Sequence, residues 1–286
     1  MSFESPIYRP NCEFKDGMVM PAGVQRVALV VEYNGAAYQG FQRQTSARST
    51  VQGDLEKALS AIAGTNITVI CAGRTDAGVH ATSQIVHFDT SVDRPEKAWL
   101  LGTNTELPPA IRVRACRKMP WHFHARFSAQ ARTYRYLIYS SLVRPALLVD
   151  QVGWTRFPLE LQPMREASAL LLGEHDFTSF RAKNCQAKSP VREIQHLSLT
   201  PFGQFIVLEI KANAFLQHMV RNIVGSLIEV GRGGEPVAWL GEVLAAKERA
   251  LAAATASPAG LYFVAVDYPV DLRLPPLPKG PYFLPD

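Results

Sequence analysis

The sequence predicts an α+β fold built from two β-α-β-β-α-β units with mainly antiparallel sheets. Three observations predict it. Apolar, β-branched runs of strand length alternate with stretches of helical periodicity. Several strand runs follow one another with only a loop between them, as at 67–72 and 84–89 and again at 193–200 and 204–211. The order found in the first half recurs in the second. Two split units of this kind imply sheets covered by helices on one face.

The elements follow in order. Residues 1–23 carry Pro6, Pro10 and Pro21 without periodicity and read as a tail. Gln25–Tyr33 is a strand ended by Asn34-Gly35. The glutamine-rich loop 38–44 holds two aromatics, Tyr38 and Phe41, and reads as a surface loop. Residues 52–63 place Leu55, Ala58, Leu59 and Ile62 at helical spacing. Strands at 67–72 and 84–89 flank a small-residue loop. A helix over 95–101 has Pro near its first turn. Residues 111–116 alternate apolar and basic, as a half-exposed strand does.

The second unit begins with an aromatic strand at 132–139. A helix at 163–172 stops at Gly173, and strands 193–200 and 204–211 meet at a Pro201-Phe202-Gly203 turn. A helix at 215–230 stops at Gly231. A further helix at 240–246 and a last strand at 261–267 complete the unit. The boundaries predicted are a tail to 23, a first domain over 24–119, a second over 120–270, and a proline-rich extended segment over 271–286.

Composition sets the class. The chain has 286 residues, 47% hydrophobic and 19% charged, which suits one large or two ordinary globular domains. No apolar run approaches the roughly 20 residues of a membrane helix. The N-terminal stretch carries acids and no apolar signal core, so no export signal is read. Four widely spaced cysteines without a C-x-x-C suit reduced thiols in a cytoplasmic protein and argue against structural zinc.

Charge points to a polyanionic partner. The net charge is only +5, but residues 107–149 contain no Asp or Glu and eight bases. These are Arg112, Arg114, Arg117, Lys118, Arg126, Arg132, Arg135 and Arg144. A second acid-free run, 177–192, carries Arg181, Lys183, Lys188 and Arg192. With no compensating acid in either run, a nucleic-acid surface is expected there, with Arg126, Arg132 and Lys183 among its contacts. The preponderance of Arg suits phosphate forks and base stacking.

Three constellations are candidates for chemistry. The loop 71–81 encloses Arg74 and Asp76 among small residues, and in extended chain the two share a side. An Asx-turn would explain Asp76 without chemistry. Further on, Gln217, His218, Arg221 and Asn222 form a polar strip on an otherwise apolar helix. Such a strip is either solvated surface or a face turned to a cleft. Tyr134 and Tyr136 share one face of their strand among arginines, a pattern that serves either core packing or base stacking. His122 and His124 lack a third ligand at metal-binding spacing.

Nine consecutive residues, Gly73–Ala81, resemble the catalytic loop of the TruA-type tRNA pseudouridine synthases. The segment 215–222, the R-x-Y-x-Y pattern at 132–136 and Ser257–Leu261 resemble further motifs of that family. Phe41 departs mildly from a frequent Trp. The resemblance covers most of residues 25–268. It implies two ferredoxin-like (RRM-like) halves joined into one larger sheet, with the active-site cleft between them. It implies conversion of uridine to pseudouridine at tRNA positions 38, 39 and 40, after the base leaves the stack.

In that reading Asp76 attacks covalently, at ribose C1′ or uracil C6, and Arg221 keeps it ionised. Tyr134 stacks on the uracil, with a part in removing the C5 proton left open. Arg74 fills the vacated stack or contacts the backbone. Substrate contacts are implied at Phe41, Gln42, His80 and Leu261, with Arg126, Arg132 and Lys183 on the tRNA. No metal and no cofactor is implied, and a homodimer is. Two other classes would share some features. A non-catalytic RNA-binding protein would not need Asp76, and a metal-dependent nuclease would need more carboxylates near it than Asp89 and Asp93.

Overall fold

The computed structural model describes residues 21–44 and 49–284. Most of the expected N-terminal tail therefore lies outside the described residues. The first half runs β1 (Gln25–Tyr33), α1 (Val51–Ala63), β2 (Ile70–Cys71), β3 (His80–Thr90), α2 (Glu96–Glu106) and β4 (Ile111–Met119). The second runs β5 (Ala131–Ser140), β6 (Gly153–Thr155), α3 (Leu161–Ala169), β7 (Gly173–Asp176), β8 (Val191–Phe202), β9 (Phe205–Ala212), α4 (Met219–Gly231), α5 (Val237–Ala246) and β10 (Leu261–Asp267).

One ten-stranded sheet holds both halves, in the order β4-β1-β3-β10-β5-β9-β8-β7, with β2 on β3 and β6 on β5. With the short β6 and β7 set aside, each half keeps the same internal order: its fourth strand, then its first, then its third, with its second on the third. That is the split βαβ arrangement the repeat in the sequence predicts. The halves join where β10 runs parallel to β3, through Tyr262 opposite His80 and Phe263 opposite Ala81.

The pleat assigns the two faces of the second half. Tyr134, Tyr136 and Ile138 of β5 join Leu208, Ile210, Leu261 and Phe263 in the main core under α3 and α4. The alternate residues Leu137, Tyr262 and Val264 form a smaller cluster with Val152 and Leu284. Helices therefore cover one face, and the C-terminal segment covers part of the other. Lys279 accepts from Thr82 of β3 and pairs with Glu209 of β9. The Gly280 carbonyl accepts from Arg135 of β5, and Arg114 of β4 lies over the Tyr282 ring. The expected extended tail is thus a strap across both halves.

Local signals account for most boundaries. Thr50 caps α1 by accepting from the Gly53 N–H at 3.2 Å, and Gly64 ends it at φ 67°. Three differences from the sequence reading have physical causes. The helix expected from 215 begins at 219, because Leu216–Met219 close a tight turn and His218 takes φ 63°. The strand expected from 84 begins at His80, because Ala81 pairs with Tyr33 on one side and Phe263 on the other. The strands β6 and β7 are three and four residues long, and β7 reads Gly-Glu-His-Asp, which carries no strand signal.

Candidate active site

The loop between β2 and β3 carries Asp76, and it is held from below by the 38–41 segment. Phe41 donates its N–H to the Thr75 carbonyl at 3.0 Å, and Gly78 donates to the Tyr38 carbonyl at 3.2 Å. The Thr75 hydroxyl bonds Tyr33 at 2.8 Å. Gly40 has φ 97°, and a Cβ there would lie 2.9 Å from the Thr75 carbonyl oxygen. Only glycine fits this approach. From the other side, a Cβ at Gly78 would touch Pro258 at 3.0 Å, so the loop also packs on the segment leading to Leu261.

Asp76 is thereby presented to the second half. Arg221 Nη1 stands 3.8 Å from its Oδ2, and His218 Nε2 stands 3.7 Å from the same oxygen. The Arg221 side chain is 14% exposed and that of Asp76 29%. Arg221 Nε donates to the Ala256 carbonyl at 2.8 Å, while Ala256 N–H donates back to the Arg221 carbonyl at 3.1 Å. Burial lowers the Arg221 guanidinium from its ordinary value, and Asp76 opposes that shift. Both contacts are longer than hydrogen bonds, a spacing that active sites close when substrate arrives.

Tyr134 lies beside this pair. Its ring meets Phe215 and Phe263 edge to face at 5.0 and 4.9 Å. Its hydroxyl would be 3.9 Å from a Cβ on Gly73. Burial raises its phenol well above the ordinary value, with the charges of Tyr33 and Asp76 adding to the effect. Tyr134 therefore presents a neutral ring that is poorly suited to give up its proton. Leu261 is buried at the start of β10, opposite Tyr136.

Other expected contacts divide. Arg74, Gln42, Arg126 and Lys183 are exposed, and Arg126 lies over the Phe127 ring. Phe41 corrects the reading of its loop as surface: it is 1% exposed and packs near Tyr33. It serves the site through its backbone. His80 is also corrected. Its Nδ1 accepts from Gly35 N–H, so Nε2 carries the proton donated to the Asp150 carbonyl, and Tyr262 stacks on the ring. Such a ring is committed to holding the start of β3. Arg132 donates to the carbonyls of Ala72, Arg126, Ala129 and Asn213. Its guanidinium braces the loop and is committed to backbone.

The acid-free runs also need correction. Acids distant in sequence reach several of their bases: Glu32 meets Arg114, Asp93 meets Lys118 and Glu209 meets Arg135. Asp89 is held by Arg26 through two bonds of 2.7 Å. The nuclease alternative loses both of its extra carboxylates by these pairings. Among the described residues no group of three or more His, Cys, Asp or Glu is placed to hold a metal ion. His124 instead accepts from the Arg126 and Phe127 amides.

His218 is the site residue that sequence reasoning left without a role. It was visible on the polar strip of its helix, but its left-handed backbone was not.

The fold and the loop define a class of RNA-modifying isomerase, and the chain belongs to the tRNA pseudouridine synthase family, whose model matches residues 29–128 and 167–269. Its relatives narrow this. A tRNA pseudouridine synthase A of Pseudomonas aeruginosa is 55% identical over 263 residues, covering 92% of each chain. One from Klebsiella pneumoniae subsp. pneumoniae is 56% identical over 261 residues, covering 91% of this chain and 96% of its own. A solved H/ACA ribonucleoprotein bound to a substrate RNA containing 2'-deoxyuridine aligns with 83% of this chain and 47% of its own. Its TM-score of 0.34 and 10% identity are too low to build on.

Proposed function

We propose that this isomerase converts uridine to pseudouridine at positions 38, 39 and 40 of the tRNA anticodon arm, with Asp76 as the covalent nucleophile. The observation that carries the reading is the placing of Asp76 and Arg221. A carboxylate from one half meets a guanidinium from the other at 3.8 Å, beside the buried ring of Tyr134. The relatives named tRNA pseudouridine synthase A support the substrate.

The target base must leave the stack to bring its glycosidic bond to Asp76. The carboxylate forms a bond to the nucleoside, at ribose C1′ or uracil C6, and the N1–C1′ bond breaks. The uracil turns, C5 bonds to C1′, and the bond to Asp76 breaks with its electron pair returning to the carboxylate. The C5 proton then leaves and N1 gains one, so the product is an isomer. Arg221 favours the ionised carboxylate. Tyr134 supports the base by stacking, and Leu261 closes the floor. Arg74 occupies the stack or contacts its backbone. Gln42, Arg126 and Lys183 contact tRNA. The same reading makes the protein a cytoplasmic homodimer whose chemistry needs neither metal nor cofactor.

The test is to map pseudouridine in tRNA transcripts incubated with the purified protein, with Asp76→Asn as the comparison. Pseudouridine confined to positions 38–40, with the variant slower by at least about a thousandfold, is expected. Modification elsewhere in the tRNA, or an active Asp76→Asn, would refute the reading.

A further inference from the structure

The helices here begin in one of two ways. Thr50, Pro95, Glu160 and Pro236 precede α1, α2, α3 and α5 in extended conformation, as N-cap residues do. His218 precedes α4 at φ 63° and ψ 2° and makes no capping bond with its side chain. A non-glycine residue in this region carries a steric cost, and the other such residue described, Lys247, sits at a helix C-terminus where left-handed backbone is ordinary.

The surroundings fix this turn. Leu216 and Met219 on either side are buried. The Met219 N–H closes on the Leu216 carbonyl at 3.1 Å, and the Gln217 carbonyl accepts from Ala182 at 3.0 Å. The His218 carbonyl accepts from the Asn222 N–H at 2.9 Å, so α4 takes its first turn from this residue. The outcome is that the imidazole is aimed at Asp76. Its Nε2 lies 3.7 Å from Oδ2, the same oxygen that Arg221 approaches at 3.8 Å. Held strain of this kind persists where a side chain must be delivered to a fixed place.

We infer that His218 is a positioning residue that, with Arg221, holds the Asp76 carboxylate in its attacking orientation. The inference rests on Asp76 as the nucleophile. One neighbour leaves a carboxylate free to swing about it, whereas two groups that approach the same oxygen from successive parts of one element restrict that rotation. Misplacing a reacting group by about 1 Å costs on the order of 100-fold in rate. The cost of the left-handed backbone then has a function, and glycine would remove that cost together with the imidazole.

The test uses His218→Gly and His218→Asn, both of which tolerate left-handed backbone, in the full chain. For both variants the single-turnover rate at saturating tRNA should fall by on the order of 100-fold. Their tRNA affinities should stay within about threefold and their Tm values within about 4 °C of wild type. The imidazole site is a third exposed, so added imidazole should restore part of the rate to His218→Gly and leave wild type unchanged. Wild-type rates in either variant, a loss confined to affinity, or no recovery in imidazole would each overturn the inference. If His218→Gly fails to fold, His218→Asn decides on rate against affinity. Asp76→Asn, run in parallel, separates the two readings. If it turns over, the nucleophile is wrong; if it is inert while the His218 variants are at full rate, only the role of His218 is wrong.

Discussion

Arg221 faces Asp76 with one nitrogen while another is tied to backbone. Its Nη1 is 3.8 Å from the carboxylate, and its Nε is 2.8 Å from the Ala256 carbonyl. The guanidinium thus fixes a distance between α4, the 256–261 segment and the Asp76 loop. Arg221→Ala should slow the single-turnover rate by about 100-fold, equivalent to about 2.7 kcal/mol of barrier, with little loss of tRNA affinity. Arg221→Lys should recover little of this, because one ammonium cannot fill both positions of a planar fork. Single-turnover rates for both variants check the pairing. A variant that lost only affinity would place Arg221 on the RNA instead.

Gly40 should matter to rate through Thr75. Gly40→Ala puts a methyl group 2.9 Å from the Thr75 carbonyl oxygen at a positive φ, so the neighbour of Asp76 must move. We expect a loss of roughly 1–3 kcal/mol in stability and a larger proportional loss of activity. Gly233→Ala is the control, since its φ of 75° is as strained but its Cβ would meet open space. It should lose some stability and keep its kcat. Urea midpoints with kcat for the two variants give the comparison.

Salt dependence should sort the basic residues by exposure. Arg126→Ala and Lys183→Ala should each reduce the slope of log affinity against log salt by about one unit, as phosphate contacts do. Arg132→Ala should lower the Tm and leave that slope unchanged, because it removes a donor from four carbonyls. Filter binding over a range of salt concentrations, with thermal melts, distinguishes the outcomes.

Acid should unfold the protein through its buried histidines. Burial lowers His80 and His87 below the ordinary 6.5, and burial with nearby Arg26 and Arg126 lowers His124 to about 4. These folded-state values lie below the unfolded ones, so below pH 6.5 the unfolded chain takes up protons that the folded chain refuses. Their contribution to stability is complete above that pH and declines as pH falls toward about 4. Urea midpoints at pH 7.5 and pH 5 should differ in that direction. Equal midpoints would mean that these rings are protonated in the folded state.

Much of this was legible in the sequence because the signals are local. The strands β1 and β10 fall on the expected residues, and Asp76, Arg221 and Tyr134 come together as their motifs imply. What was not legible depends on contacts remote in sequence. An acid-free run of 43 residues says nothing of Glu32, Asp93 and Glu209 folding back on it. Phe41 and His80 sit in polar or small-residue stretches, and only the tertiary structure buries them. The left-handed turn at His218 has no residue signal, since glycine or asparagine would be its usual mark.

Asp76 and Arg221 come from different halves, and among the described residues the strands of those halves pair at two positions, Tyr262 with His80 and Phe263 with Ala81. The reach between carboxylate and cation is therefore set across a short lap joint. The C-terminal strap from Arg273 to Tyr282 acts as a tie-bar across that joint, fastened to β4, β3, β5 and β9. Slackening the bar would alter the gap between the jaws without changing an atom in either of them.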